Sequence, residues 1–312
     1  MEERQLGRTG VRVSSIGLGT LTWARDTDAE TAATLLSDFA SAGGTLVDTA
    51  ASYADGQAEE LIGSLLDTVV PREDLVLCTK GGLRRTPQGP VVDSSRRALL
   101  SSIDGSLRRL GTDHVDLFLV QQPDHRTSNE EVAATLQHIV DTGRARYVGL
   151  SNHPGWRTAR IGTMLGPFGL GAVEVEYSLV HRDAEAEVLP AAADLGAGVL
   201  AWSPLGRGVL TGKYRRTVPA DSRAASAHLA GFVAPYLTRP AGAVVEGLVT
   251  AAAGLDRSPL EVALAWLLSA PISSAIVGAR TPAQLAPVLD LDPGLPDEIR
   301  AALDEVSAPV PR

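Results

Sequence analysis

The chain has 312 residues, 44% of them hydrophobic and 21% charged, with a formal net charge of −9. This composition supports a large core and argues against disorder, and the acidic balance argues against a nucleic-acid or anionic-membrane surface. No stretch has the length of a membrane helix, the start Met1-Glu2-Glu3-Arg4 lacks a signal-peptide pattern, and the lone Cys78 has no partner for an internal disulfide, so a cytoplasmic enzyme is expected.

Residues 1–12 read as a β-hairpin turning at Gly7-Arg8-Thr9-Gly10, and 13–19 as a first strand. Thr27 and Glu30 have capping-box spacing ahead of Ala32, Leu35, Leu36 and Phe39, with Gly43 as the helix stop. A short strand at 45–47 ends in Asp48. A helix over 57–69 leads to a strand at 75–79 that ends in Lys80. The Gly-, Pro- and Arg-rich stretch 81–90 reads as a loop. Leu99, Leu100, Ile103, Leu107 and Leu110 mark a helix closed by Gly111.

The apolar run 115–120 is the clearest buried strand, and it stops abruptly at Gln121-Gln122-Pro123-Asp124. Ser128 and Glu131 start the next helix, and a strand at 146–150 ends in Ser151-Asn152. Helices near 155–165 and 183–195 flank a strand at 172–176. A strand at 198–202 ends in Ser203-Pro204. Residues 206–240 show little periodicity and read as a long functional loop. Helices follow near 241–253 and from Ser258-Pro259-x-Glu261. The last strand, 275–277, ends in Gly278-Ala279-Arg280, and short helices near 281–289 and 296–306 close the chain.

Strands near 13, 45, 75, 115, 146, 172, 198 and 275 alternate with helices, which predicts an α/β fold, a (β/α)8 barrel in a single domain over 1–312. A doubly wound open sheet is the competing fold. It usually carries Gly-x-Gly-x-x-Gly after strand one, where this chain has Gly17-Leu18-Gly19-Thr20-Leu21-Thr22. In a barrel the strand ends bring Asp48, Lys80, Gln121, Ser151, Asn152, Glu174, Trp202 and Arg280 to one mouth, with Tyr53 close behind Asp48. A lysine beside a phenol lowers the phenol pKa, and a carboxylate keeps the lysine charged, which makes Tyr53 a candidate proton donor. Equally, Asp48–Lys80 is readable as a structural ion pair and Tyr53 as a rim aromatic.

The stretch Val47-Asp48-Thr49-Ala50-Ala51-Ser52-Tyr53 resembles the Asp-Thr-Ala-x-x-Tyr signature of the aldo-keto reductases. Thr79-Lys80, Gly149-Leu150-Ser151-Asn152, the run 201–213 and the run 276–284 resemble further motifs of that family, in the same order. Within the family the chain resembles the branch of the potassium-channel β subunits and bacterial general-stress reductases. The resemblance covers about residues 3–305. It implies a (β/α)8 barrel that uses NADPH, without a Rossmann fold, to reduce a small-molecule carbonyl substrate, with no metal.

By residue, it implies Tyr53 as proton donor, Lys80 as the modulator of its pKa and Asp48 as the partner of Lys80. Ser151, Asn152 and Glu174 would hold the carboxamide, Trp202 would stack on the nicotinamide, and Thr20 would meet its ribose. Ser203, Leu205, Gly206, Gly208 and Lys213 would contact the pyrophosphate. Gly278, Arg280 and Gln284 would surround the adenosine phosphate, with Arg280 on the 2′-phosphate.

Three positions depart from the family pattern. Gln121 stands where the family usually has His, Glu174 where it usually has Gln, and Pro287-Val288 where Glu-Asn commonly follows Gln284. The last leaves NADH as an alternative cofactor. The first leaves open reduction of an activated C=C bond or keto-sugar, or a nicotinamide-binding sensor. His125 and His153 are further candidates for the pocket, and Cys78 is expected to be a small core residue.

Overall fold

The apolar runs of the sequence become strands buried on both faces, with side chains alternating between the axis of a barrel and the helices around it. The computed structural model describes residues 1–166, 168–220 and 222–309. β1 (Glu3–Gln5) and β2 (Arg12–Ser14) form an antiparallel hairpin. The wall begins with β3 (Ile16–Gly19), β4 (Leu46–Asp48) and β5 (Val76–Gly81). A second antiparallel hairpin follows, β6 (Leu83–Thr86) and β7 (Gly89–Val92). The wall continues with β8 (Val115–Val120), β9 (Ala145–Ser151), β10 (Ala172–Glu176), β11 (Gly198–Trp202) and β12 (Ser274–Val277). β12 pairs with β3, closing an eight-stranded parallel barrel in chain order, the (β/α)8 architecture expected.

The outer helices are α1 (Ala29–Ser41), α2 (Gln57–Leu65), α3 (Arg96–Leu110), α4 (Asn129–Asp141), α5 (Gly155–Gly162) and α6 (Val188–Leu195). After β11 come α7 (Ala230–Val233), α8 (Arg239–Gly254) and α9 (Pro259–Leu268), and after β12 come α10 (Pro282–Leu289) and α11 (Asp297–Val306). The capping box at Ser258 and Glu261 is present, with Pro259 at the first helical position.

Several boundaries differ from expectation. The expected strand 13–19 is two strands: β2 pairs with β1 and β3 with β4 and β12, and between them the Ser14 hydroxyl donates to the Ile16 carbonyl and accepts the Thr45 amide. α1 is capped by Asp28, not Thr27. Asp28 Oδ1 accepts the Thr31 amide at 2.8 Å, while the Thr27 hydroxyl pairs with that of Thr22. α2 stops at Leu65 because the chain turns at Asp67 with φ 59°. The stretch read as loop 81–90 holds β6 and β7, short strands whose composition hides them.

Inside the barrel, Leu46, Cys78, Leu117, Leu119, Ala172, Leu200 and Ile276 form one apolar cluster with Leu6 and Val13 of the first hairpin. Cys78 is thus the core residue expected. The hairpin plugs the amino-terminal mouth. Its turn at Gly7 has φ 57°, and a Cβ there would lie 2.3 Å from the Gly196 carbonyl oxygen, so glycine alone fits this approach to the start of β11. With that end closed, the opposite, carboxyl-terminal mouth is the one left for polar side chains.

Candidate active site

Side chains repeat every two residues along a strand, so each inward apolar residue predicts what lies above it. Two residues beyond Leu46, Cys78, Leu119, Ala172, Leu200 and Ile276 stand Asp48, Lys80, Gln121, Glu174, Trp202 and Gly278. All six line one cavity of about 770 Å3 at the carboxyl mouth, together with Tyr53, Ser151 and Asn152. The apolar layer is the floor of the cavity and the polar layer is its working surface.

Lys80 is the centre of that surface. Its Nζ lies 2.5 and 2.7 Å from the two oxygens of Asp48, donates to the Thr49 carbonyl at 3.1 Å and lies 3.2 Å from Glu174 Oε2. Lys80, Asp48 and Glu174 are only 1%, 2% and 3% exposed. Burial disfavours the charged lysine, but the Asp48 and Glu174 carboxylates outweigh it and hold the ammonium well above its usual range. Glu174 Oε2, although close, has no aligned hydrogen-bond partner. Burial, then the charge of Asp48, lift its carboxyl to about 8 against the pull of Lys80. One lysine serves two buried carboxyls, and the second holds its proton at neutral pH.

Tyr53 faces this cluster, its ring centroid 5.3 Å from Lys80 Nζ. The net effect on the phenol is opposite to the expectation. Burial raises its pKa most; Lys80 pulls it down, but Asp48 and Glu174 push it up, so it stays well above the ordinary tyrosine value. Tyr53 therefore keeps its proton at neutral pH.

Gln121 is held by a residue not singled out from the sequence. Ser52 Oγ donates to Gln121 Oε1 at 2.9 Å, an amide orientation that leaves Nε2 as the group offered to the cavity. Asn152 has φ 60°, a conformation uncommon outside glycine. It sends Nδ2 to the Gln121 carbonyl and accepts the Trp202 indole N–H at Oδ1, both at 3.0 Å, so three strand ends are tied together. The Thr20 hydroxyl donates to the Asp48 carbonyl at 2.9 Å.

The stretch 206–240 covers the mouth. It is built from short helical pieces, among them 206–211 with Arg207 at φ 58° and Gly208 at φ 100°, which is why it shows no periodicity. Arg207 pairs with both oxygens of Glu176 at 2.8 and 2.6 Å, donates to the Phe232 carbonyl at 2.6 Å and lies 4.0 Å over the Phe232 ring. Phe232 in turn lies alongside Trp202, with ring centroids 6.5 Å apart. His228 Nε2 reaches Asp26 Oδ1 at 3.0 Å, joining this cover to the loop after β3.

Of the residues singled out from the sequence, Thr20, Ser203, Leu205, Gly208, Lys213, Arg280 and Gln284 also line the cavity, as do Pro287 and Val288. Gly206 does not. It sits behind the wall at φ 54°, where a Cβ would meet Val180 Cγ2 at 2.5 Å. His125 is exposed and outside the lining. His153 is buried behind it, bonded to the Ser151 carbonyl at 2.8 Å, and burial brings its imidazole down to about 4.

Arg223 is a further residue the sequence did not mark. It is half-buried, lines the cavity and donates to the Gly278 carbonyl at 3.3 Å. Desolvation, then the charge of Arg280, pull its pKa down. These two guanidiniums, with Lys213 on the same cavity, form a donor set suited to a phosphorylated ligand. Elsewhere on the cavity, Glu174 Oε2, which lies 3.2 Å from Lys80 Nζ but makes no aligned hydrogen bond, suits an amide N–H. The cavity thus fits a nicotinamide dinucleotide. Asp48, Cys78 and Glu174 also place donor atoms within 4.8 Å of one another, but the cation lying between the two carboxyls is the Lys80 ammonium.

The profile of the Aldo/keto reductase family matches residues 15–307. The chain is 35% identical to a probable voltage-gated potassium channel subunit beta of Oryza sativa subsp. japonica, across 99% of this chain and 97% of that protein. It is 31% identical to the aldo-keto reductase YhdN of Bacillus subtilis, across 91% and 87%. It is 32% identical to the L-glyceraldehyde 3-phosphate reductase of Escherichia coli O157:H7, across 91% and 89%. Among the described residues no helix is long and apolar enough to cross a membrane.

Proposed function

The chain belongs to the aldo/keto reductase family, and from that premise we propose that it is a cytoplasmic, NADPH-dependent reductase that converts an aldehyde or ketone to an alcohol. The observation that carries this reading is the Asp48–Lys80 pair beside the Tyr53 ring, in the polar layer of a cavity that Arg223 and Arg280 also line.

The dinucleotide, when bound, supplies the hydride. Ser151, Asn152 and Glu174 orient its carboxamide, Trp202 bounds the ring, and Thr20 meets the adjoining ribose. Ser203, Leu205, Gly208 and Lys213 line the path of the pyrophosphate. Arg280, joined by Arg223, takes the 2′-phosphate, and Gln284 braces the Arg280 backbone by accepting its N–H at 3.0 Å. The apolar Pro287 and Val288 border this end of the cavity.

Tyr53 gives its hydroxyl proton to the substrate oxygen. Because burial keeps that proton in place, transfer occurs as negative charge builds on the oxygen, and the Lys80 ammonium then stabilises the phenolate left behind. Gln121 Nε2 donates a hydrogen bond to the same oxygen but does not titrate, so Tyr53 rather than Gln121 gives the proton. This favours carbonyls that are already activated. Consumption of NADPH against a panel of aldehydes, dicarbonyls, ketones and enones tests the reading. Turnover restricted to activated carbonyls supports it, whereas turnover only with C=C substrates, or with none, overturns it.

A further inference from the structure

The buried cluster holds one more carboxyl than a lysine–tyrosine pair requires. Asp48 takes the Lys80 ammonium with both oxygens, whereas Glu174 Oε2 reaches the same nitrogen only at 3.2 Å, an ion-pair distance without an aligned hydrogen bond. The titratable groups that face Glu174 come from two neighbouring strands and the turn between them. Asp48 comes from β4, Tyr53 from the turn after it, and Cys78 and Lys80 from β5. The neighbouring strand ends present Gln121, Ser151, Asn152 and Trp202, none of which titrates near neutrality. Further along β10, Glu176 is paired with Arg207. Tyr53, Cys78 and Lys80 all titrate higher than they do in water, so Glu174 is the group in this cluster that changes charge first as pH rises past neutral.

We propose that Glu174 sets the redox preference of the cofactor site: with its proton on, it favours the neutral, reduced nicotinamide, and with its proton off, the cationic, oxidised one. The inference rests on the nicotinamide reading above. Protonated Glu174 presents a C=O and an O–H, a neutral acceptor and donor able to meet both ends of a carboxamide. Ionised Glu174 places a charge beside the ring in a site with little water to screen it. That charge attracts the oxidised ring and has no partner in the reduced one. The enzyme would therefore work as a reductase below the titration of Glu174 and lean toward alcohol oxidation above it.

By linkage, each unit by which the oxidised ring lowers the pKa of Glu174 changes the ratio of the two affinities tenfold across the titration. Dissociation constants of NADPH and NADP+ are measured by calorimetry on the whole protein from about pH 6 to about pH 10. The ratio of NADPH to NADP+ dissociation constants is expected to rise about tenfold or more through a midpoint near 8. Glu174→Gln is expected to abolish the rise.

A flat wild-type ratio, or the same rise in Glu174→Gln, overturns the inference. Absence of binding by either form at every pH overturns the nicotinamide reading itself, a different result. Infrared spectra of protein carrying isotope-labelled glutamate give a readout independent of the variant. A protonated-carboxyl stretch that is lost as pH rises past about 8 is expected. No such band at neutral pH refutes the proton on Glu174.

Discussion

Replacing Glu174 by glutamine should stabilise the protein, and by an amount that depends on pH. The Glu174 carboxyl moves from an ordinary value of 4.5 to about 8 in the folded chain. Between those values the folded state keeps a proton that the unfolded state releases, so the stability contributed by this group falls as pH rises. The slope is about 1.4 kcal/mol per pH unit, and the whole window amounts to a few kcal/mol. Lys80 is raised above 10.5, so its contribution is fully present and flat across the same window. His153, lowered to about 4, changes stability in the opposite sense, but equally in both proteins, and cancels in the difference. Glutamine keeps a carbonyl for Lys80 and carries no charge. Chemical denaturation followed by tryptophan fluorescence should give nearly equal stabilities at about pH 4.5, with the variant ahead by roughly 3–5 kcal/mol at about pH 8. A difference that is constant with pH, or a wild type that gains on the variant as pH rises, refutes the protonated Glu174.

Lys80→Met should destabilise the fold by about 3–5 kcal/mol near neutral pH, because it leaves Asp48 and Glu174 facing each other without a cation; an unchanged melting point would show that the ammonium does not hold them. Gln121→Ala should lower turnover by up to roughly 10²–10³-fold through loss of one donor to the reacting oxygen, while Gln121→His should raise it on simple aldehydes. Equal rates in Gln121→Ala and wild type would remove Gln121 from that oxygen. Arg280→Ala should weaken NADPH by about 1.5–3 kcal/mol and leave NADH nearly untouched; titrations showing equal losses for both would place the 2′-phosphate elsewhere.

The barrel was legible because its strands are buried on both faces. That produces continuous apolar runs, several of which end in a polar residue where the wall meets the mouth, as 115–120 does before Gln121. β6 and β7 were not legible, since their pairing is made by backbone and Leu83, Thr86, Val91 and Val92 are part-exposed, with no apolar alternation to read. The cover at 206–240 was recognised only as a long irregular segment. Its order comes from left-handed residues such as Arg207 and from contacts distant in sequence, Arg207 with Glu176 and His228 with Asp26. Such partners leave no local period.

The same limit applied in the site. Asp48, Lys80 and Tyr53 could be placed by strand register and motif. The hold of Ser52 on Gln121 and the closeness of Arg223 to Arg280 depend on the folded loops. The direction of the Tyr53 shift was misread for an energetic reason. A lysine lowers a phenol pKa only by as much as its charge is left uncompensated, and here two carboxyls surround it.

Tyr53→Phe, assayed for NADPH binding and for NADPH oxidation with an activated aldehyde, is the most direct measurement. The change removes the donor hydroxyl and keeps the ring over the Lys80–Asp48 pair. Near-total loss of turnover with NADPH affinity preserved is the predicted result. Turnover close to wild type would contradict Tyr53 as the proton donor.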